Sequence, residues 1–285
     1  MERPRRRGPG LGMTRTKDTE NFPVGSWLVA AKYRPIVFAY YAFARAADDI
    51  SDDPHLDPRE KVRRLDEMDA QLQGGTGDGP AATARDVLSG TSVPIAHCRD
   101  LLVAFKRDSV KPRTKDWADL MEYCRYSASP VGRFLLDLHG ESRETWGPGD
   151  ALCNALQVLN HLQDCRDDFV QLDRVYFPAD WLAEAGTTAE ELRQPRASEA
   201  IRAVMDRMLD HTQALVDRAR LLPPMVRDGG LRRETSVIVA VAERLLDLLR
   251  RQDPLAGRVE LSKAGYAAAA IVGVARTFFA RGMVK

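Results

Sequence analysis

The stretch YYAFARAADDISDD, residues 40–53, turns from aromatic and alanine-rich to four carboxylates within six residues. Its apolar part, extended back to Tyr33, repeats at helical spacing and predicts a helix that enters a core. Asp48 and Asp52 are four residues apart, so on that helix both carboxylates share one face. Like charges placed this way repel by about 0.2–0.5 kcal/mol even at an exposed site. Inside a cavity the cost is higher unless cations offset it. Packing alone gives no reason for the arrangement.

A second stretch repeats it. GPGDALCNALQVLNHLQDCRDDF, residues 147–169, predicts a helix over about 149–168, with Asp164 and Asp168 again four apart. Both helices carry long apolar faces, and packing those faces in one core brings their acidic ends toward a common interior. One such pair is ordinarily a solvated helix end. Two, each closing an apolar helix near tyrosine and arginine, suit a hard divalent ion bound through oxygen. Mg²⁺ fits because it keeps waters and substrate phosphates in its shell. Neither stretch has the spaced Asp/Asn and central Gly of an EF-hand.

The residues around the carboxylates extend this reading. Arg45 lies one turn before Asp48, and Arg174 follows the second cluster; both suit a diphosphate. Asn160 precedes Asp164 by one turn, and Gln157 lies a further turn back. A carboxamide there reaches metal-bound water or a phosphate oxygen, or is satisfied between helices. Tyr41 and Tyr126 either line a ligand cavity or pack as core aromatics.

The rest of the chain reads as all-α. DPREKVRRLDEMDAQL predicts an amphipathic helix capped by Asp57 with Pro58 in its first turn. GGTGDGP, residues 74–80, is a loop, and helical patterns follow at about 81–88 and 94–108. Pro130 kinks or interrupts the helical run that contains YCRYSASPVG. QLDRVYFPADWLAEAG predicts a compact loop and a short helix. Helices over about 196–222 and 231–250 join through LLPPMVRDGG, and a last one starts near Leu261. RRLDEMD and LRRE read as solvated faces with local ion pairs. His97, His139, His161 and His211 show no metal-ligand spacing and read as structural or surface residues. No GxGxxG or GxSxG element occurs.

Composition narrows the class. The chain has 285 residues, is 44% hydrophobic and 29% charged, and carries a net charge of +1. Nothing in that balance favours nucleic acid. Cys98, Cys124, Cys153 and Cys165 are dispersed, as expected of reduced thiols in a cytoplasmic protein. Residues 1–19 read as a disordered basic arm and residues 20–285 as one all-α domain. No run reaches the ~20 apolar residues of a membrane span. The C-terminal GYAAAAIVGVARTFFARGMVK suits packing against other helices or a lipid surface.

Four segments taken in order, YAFARAADDISDD, YCRYSASPVG, LQVLNHLQDCRDDF and DRVYFP, resemble the squalene/phytoene synthase family. The wording resembles most its bacterial hydroxysqualene synthase subgroup of hopanoid biosynthesis. The resemblance implies an isoprenoid-synthase helical bundle around an apolar cavity. It implies that Asp48, Asp49, Asp52, Asp53, Asp164, Asp167 and Asp168 bind Mg²⁺ that bridges a prenyl diphosphate. Tyr41, Arg45, Tyr126 and Asn160 match catalytic positions, and Arg45, Gln157, Asn160 and Arg174 match diphosphate-binding ones. The implied substrate is presqualene diphosphate, with condensation of two farnesyl diphosphates as the alternative. Peripheral contact with the inner membrane face and with pathway enzymes follows from the same resemblance. Two departures bear on the choice of substrate. Asn21, Phe22 and Pro23 replace a Ser-Phe motif, and Gln163 replaces an arginine before the second acidic cluster.

Overall fold

The computed structural model describes residues 30–110 and 113–279; the basic arm and Asn21–Pro23 lie outside the described residues. Thirteen α-helices run in order among them. The first four are α1 (Arg34–Asp52), α2 (Pro58–Leu72), α3 (Pro80–Ser89) and α4 (Ala96–Val110). Next come α5 (Trp117–Ser127), α6 (Ser129–Leu138), α7 (Trp146–Gln163), α8 (Cys165–Leu172) and α9 (Ala179–Glu184). The last are α10 (Glu199–Ala219), α11 (Leu222–Met225), α12 (Gly229–Arg251) and α13 (Lys263–Phe279). The only β-type pairing among the described residues is an isolated bridge between Arg113 and Val175.

Local chemistry sets the helix ends. Asp57 caps α2 by accepting from the Arg59 and Glu60 backbone N–H groups, and Pro58 fills a position that needs no donor. Pro130 interrupts the helical run as expected: α5 ends at Ser127, and α6 restarts at Ser129 with the proline in its first turn. Ser198 and Asp228 cap α10 and α12.

Two apolar cores share the bundle. One joins α1, α2, α3 and α4 with one side of α6, around Phe43, Leu65, Leu102 and Phe134. The larger one surrounds α7 and joins it to α5, α10 and α12. Helix α7 is buried around most of its circumference, which explains its apolar composition. In α1, Val37, Tyr40, Phe43, Ala47 and Ser51 are buried, at spacings of three and four. The opposite face therefore carries Tyr41, Arg45, Asp48 and Asp52. Gly132 lets α6 approach α7, because a Cβ there would sit 2.6 Å from the Cys153 sulfur.

Two expectations change. The helix expected over 149–168 breaks at Asp164, which ends α7 and begins α8 with φ −102° and ψ 6°. The Asp168 N–H still donates to the Asp164 carbonyl at 2.8 Å, so the break alters direction without separating the pair. LRRE, expected to be solvated, places Leu231 and Glu234 in the interior, with Glu234 only 3% exposed. Helical periodicity explains this: Leu231 and Glu234 are three apart and share the buried face of α12.

Candidate active site

The acidic end of α1 and the acidic α7–α8 junction meet through Arg174. Its backbone N–H donates to the Asp168 carbonyl at 3.1 Å. Its guanidinium reaches Asp52 at 2.6 Å, the Ser51 carbonyl at 2.9 Å and Ser51 Oγ at 2.8 Å. One arginine thus ties both clusters together. Burial works against its charge, but Asp108, Tyr176 and Asp52 more than offset this, so the guanidinium stays ionised.

Arg45 organises the other carboxylates of α1, pairing with Asp48 at 3.0 Å and Asp49 at 2.8 Å. Asp53 sits just past the helix and accepts from the His55 N–H. Tyr41, Arg45 and Asp49 line an open hollow together with Phe38. Lys61 of α2, which sequence reasoning missed, donates to the Ser51 carbonyl at 2.7 Å. Burial lowers its pKa, as does the nearby Arg174 charge, while Asp52 and Asp53 oppose the shift.

A buried polar network lies beneath Arg174. Tyr123 donates to Asp108 at 2.6 Å and Tyr176 does so at 3.1 Å. Burial pushes the Asp108 carboxyl above its usual range; Arg174, the Tyr123 hydrogen bond and His161 oppose that rise. Burial first, and Asp108 second, also push both tyrosines well up, so they remain donors. The His161 ring stacks on Tyr176 with centroids 3.5 Å apart, and its Nδ1 lies 4.0 Å from Asp168. Gln157 contacts the other ring nitrogen at 3.3 Å. His161 therefore joins the site, although its spacing alone gave no sign of it.

Gln157 and Asn160 also line a half-open cavity of about 180 Å³, set among α6, α7 and α12. That is more than ten times the ~10–15 Å³ needed for one water. Its walls are mainly apolar, including Val131, Leu135, Leu152, Leu156 and Ile238. Asn160 stands one helical turn before the second cluster, its carbonyl accepting from the Asp164 N–H at 2.9 Å.

The expected site residues do not all converge. Asp167 is exposed, whereas Asp164 and Asp168 are half-buried. Tyr126 packs on the larger core with the Arg125 guanidinium over its ring, while Tyr123 occupies the polar network. Gln163 is buried and donates to the Val259 carbonyl. Among the described residues, no three His, Cys, Asp or Glu side chains gather in a metal-binding group. The donor set is nevertheless made of carboxylate oxygens in two linked clusters. It fits Mg²⁺, which needs only one or two carboxylates per ion when phosphates complete the shell.

The sequence profile of squalene/phytoene synthases matches residues 15–265. The chain is 43% identical over 244 residues to a hydroxysqualene synthase of Sinorhizobium fredii, covering 85% of this chain and 84% of that protein. It is 42% identical over 263 residues to a hydroxysqualene synthase of Zymomonas mobilis, covering 91% and 89%. The crystal structure of squalene synthase HpnC from Alicyclobacillus acidocaldarius superposes with a TM-score of 0.72. It has 33% identity, and the match covers 83% of this chain and 90% of that one. A dehydrosqualene synthase in complex with ligand shares the fold at a TM-score of 0.80 and 20% identity, covering 92% and 93%.

Proposed function

The chain belongs to the squalene/phytoene synthase family, and we propose that it converts presqualene diphosphate to hydroxysqualene with release of diphosphate. Arg174 carries this reading on the structural side, since it joins two carboxylate clusters, the second of which begins one helical turn after Asn160 in the wall of an apolar cavity. The 42–43% identity to hydroxysqualene synthases supports the choice of product.

Asp48, Asp49, Asp52, Asp53, Asp164, Asp167 and Asp168 would hold Mg²⁺, which when bound supplies charge to the departing diphosphate. Arg45 and Arg174 give this chain's own fixed positive charge to the same leaving group. Neutral Tyr123 and Tyr176 hold Asp108 in place, and Asp108 in turn sustains the charge of buried Arg174. The apolar walls receive the hydrocarbon arms and exclude bulk water, so the cation rearranges before a single water captures it.

No described helix is long and apolar enough to cross a membrane. Ile271 and Phe278 are exposed on α13, at 71% and 68%, and offer apolar contact for peripheral association with a lipid surface.

Incubation with pure presqualene diphosphate or farnesyl diphosphate, with and without NADPH, tests the assignment. Hydroxysqualene is expected from the first substrate without NADPH. Turnover of farnesyl diphosphate alone would overturn it. Asp48→Asn and Asp164→Asn should each abolish Mg²⁺-dependent turnover while helicity is retained; undiminished activity in both would remove the metal assignment.

A further inference from the structure

Asp173 has φ 54° and ψ 32°, and among the described residues it is the one non-glycine with positive φ. The left-handed region crowds an L side chain against its own backbone, and glycine takes it at least cost. Gly74, Gly77, Gly140 and Gly186 hold the other positive-φ positions among those residues. Such a conformation at a non-glycine persists only where its surroundings hold it, and these residues gather at functional sites. Asp173 stands between α8, which carries Asp167 and Asp168, and Arg174.

The left-handed turn folds the chain back onto α8. The Asp173 N–H donates to the Phe169 carbonyl at 3.1 Å, and the Arg174 N–H donates to the Asp168 carbonyl at 3.1 Å. Arg113, from the connection between α4 and α5, then holds both neighbours of Arg174. Its guanidinium donates to the Asp173 carboxylate at 2.6 Å and also to the Asp173 carbonyl. Its backbone forms the isolated bridge with Val175, beside which the Thr114 N–H donates to the Val175 carbonyl at 3.1 Å.

The Arg113 and Asp173 side chains are 43% and 68% exposed. An ion pair that open to water adds little to stability. Its effect is geometric, because it fixes the residues on either side of the guanidinium that reaches Asp52 and Ser51. We infer that Asp173 is a positioning residue: its left-handed turn, held by Arg113, aims Arg174 at the first acidic cluster. This rests on the role given to Arg174 above. Aspartate suits the position twice over. It tolerates positive φ better than a branched side chain, and it offers Arg113 a charged acceptor that glycine lacks.

The test measures binding of inorganic diphosphate in the presence of Mg²⁺ by titration calorimetry, so it does not depend on turnover. Asp173→Val, which places a β-branched residue in the left-handed region, should raise Kd by about tenfold or more. Asp173→Asn should stay within about twofold of wild type, since it keeps both the turn and an acceptor for Arg113. Asp173→Gly should fall between these two. Arg113→Met, which leaves φ free, should raise Kd by about two- to fivefold. In an Arg174→Gln background neither Asp173→Val nor Arg113→Met should weaken binding further, because both act through that guanidinium. A purely structural role would weaken it there too, and that result overturns the inference. Unchanged binding in Asp173→Val overturns it as well; if circular dichroism shows that variant misfolded, unchanged binding in Arg113→Met does so instead. Wild-type affinity in Arg174→Gln would reject the role of Arg174, and this inference with it, whereas silent Asp173 and Arg113 variants beside a strong Arg174→Gln effect reject this inference alone.

Discussion

Arg174 and Asp52 are 122 residues apart in sequence and 2.6 Å apart in space. The contact lies where the two apolar cores adjoin, because Ser51 belongs to the buried face of α1 while Val175, next to Arg174, is buried in the larger core. A side chain that grips one acidic cluster while its backbone is held by the other sets their separation. Relative placement of charge to within fractions of an ångström is what electrostatic catalysis requires.

Arg174→Gln should therefore lower kcat/KM by about 10²–10³-fold, the scale seen when one preorganised donor is lost. Asp52→Asn should also lower kcat/KM, since it removes both a partner of Arg174 and one of the proposed metal-holding carboxylates. The double variant should be less impaired than the product of the single effects. Strict multiplicativity in steady-state kinetics would show that the two residues act independently.

Asp108 predicts a pH signature. Its folded pKa is raised above the ordinary 3.8, chiefly by burial. In the window between those values the folded state keeps a proton that the unfolded state has lost, so stability falls as pH rises through it. Asp108→Asn removes that titration. Denaturant unfolding measured as pH is raised from the ordinary carboxylate value should show wild type losing stability relative to the variant; a constant difference contradicts the assignment.

Gly273 holds α13 against α12. A Cβ there would lie 2.5 Å from Val237 Cα, and its carbonyl accepts from Ser236 Oγ at 2.7 Å. Backbone cannot yield as a side chain tip can. Gly273→Leu should destabilise the fold by about 1–3 kcal/mol, lowering Tm by roughly 2–4 °C per kcal/mol. A calorimetric scan checks this, and an unchanged Tm would mean the helices separate freely here.

The thiols should be inert until the fold opens. Burial pushes Cys98 and Cys153 from an ordinary 9.0 up to about 12. Only about 10⁻⁴ of each is then thiolate at pH 8. Iodoacetamide labelling at that pH should be slow in the native protein and fast in denaturant. Between about pH 9 and 12 the unfolded thiols lose protons that the folded ones retain, so stability should fall with rising pH. Rapid native labelling of Cys98 at pH 8 would contradict its burial.

Sequence by itself determined the helices and the acid pairs. The apolar spacing of Val37, Tyr40, Phe43 and Ala47 forces α1 to bury one face, which leaves Arg45, Asp48 and Asp52 together on another. The proline at 130 and the cap at Asp57 likewise act within a few residues of themselves. Tertiary structure alone decided which distant groups meet: Arg174 with Ser51 and Asp52, Tyr123 and Tyr176 with Asp108, and His161 with Asp168. It also decided that Glu234, written beside two arginines, turns inward. Periodicity reports which face a residue takes on its own helix, whereas burial and charge pairing depend on what another helix brings against that face.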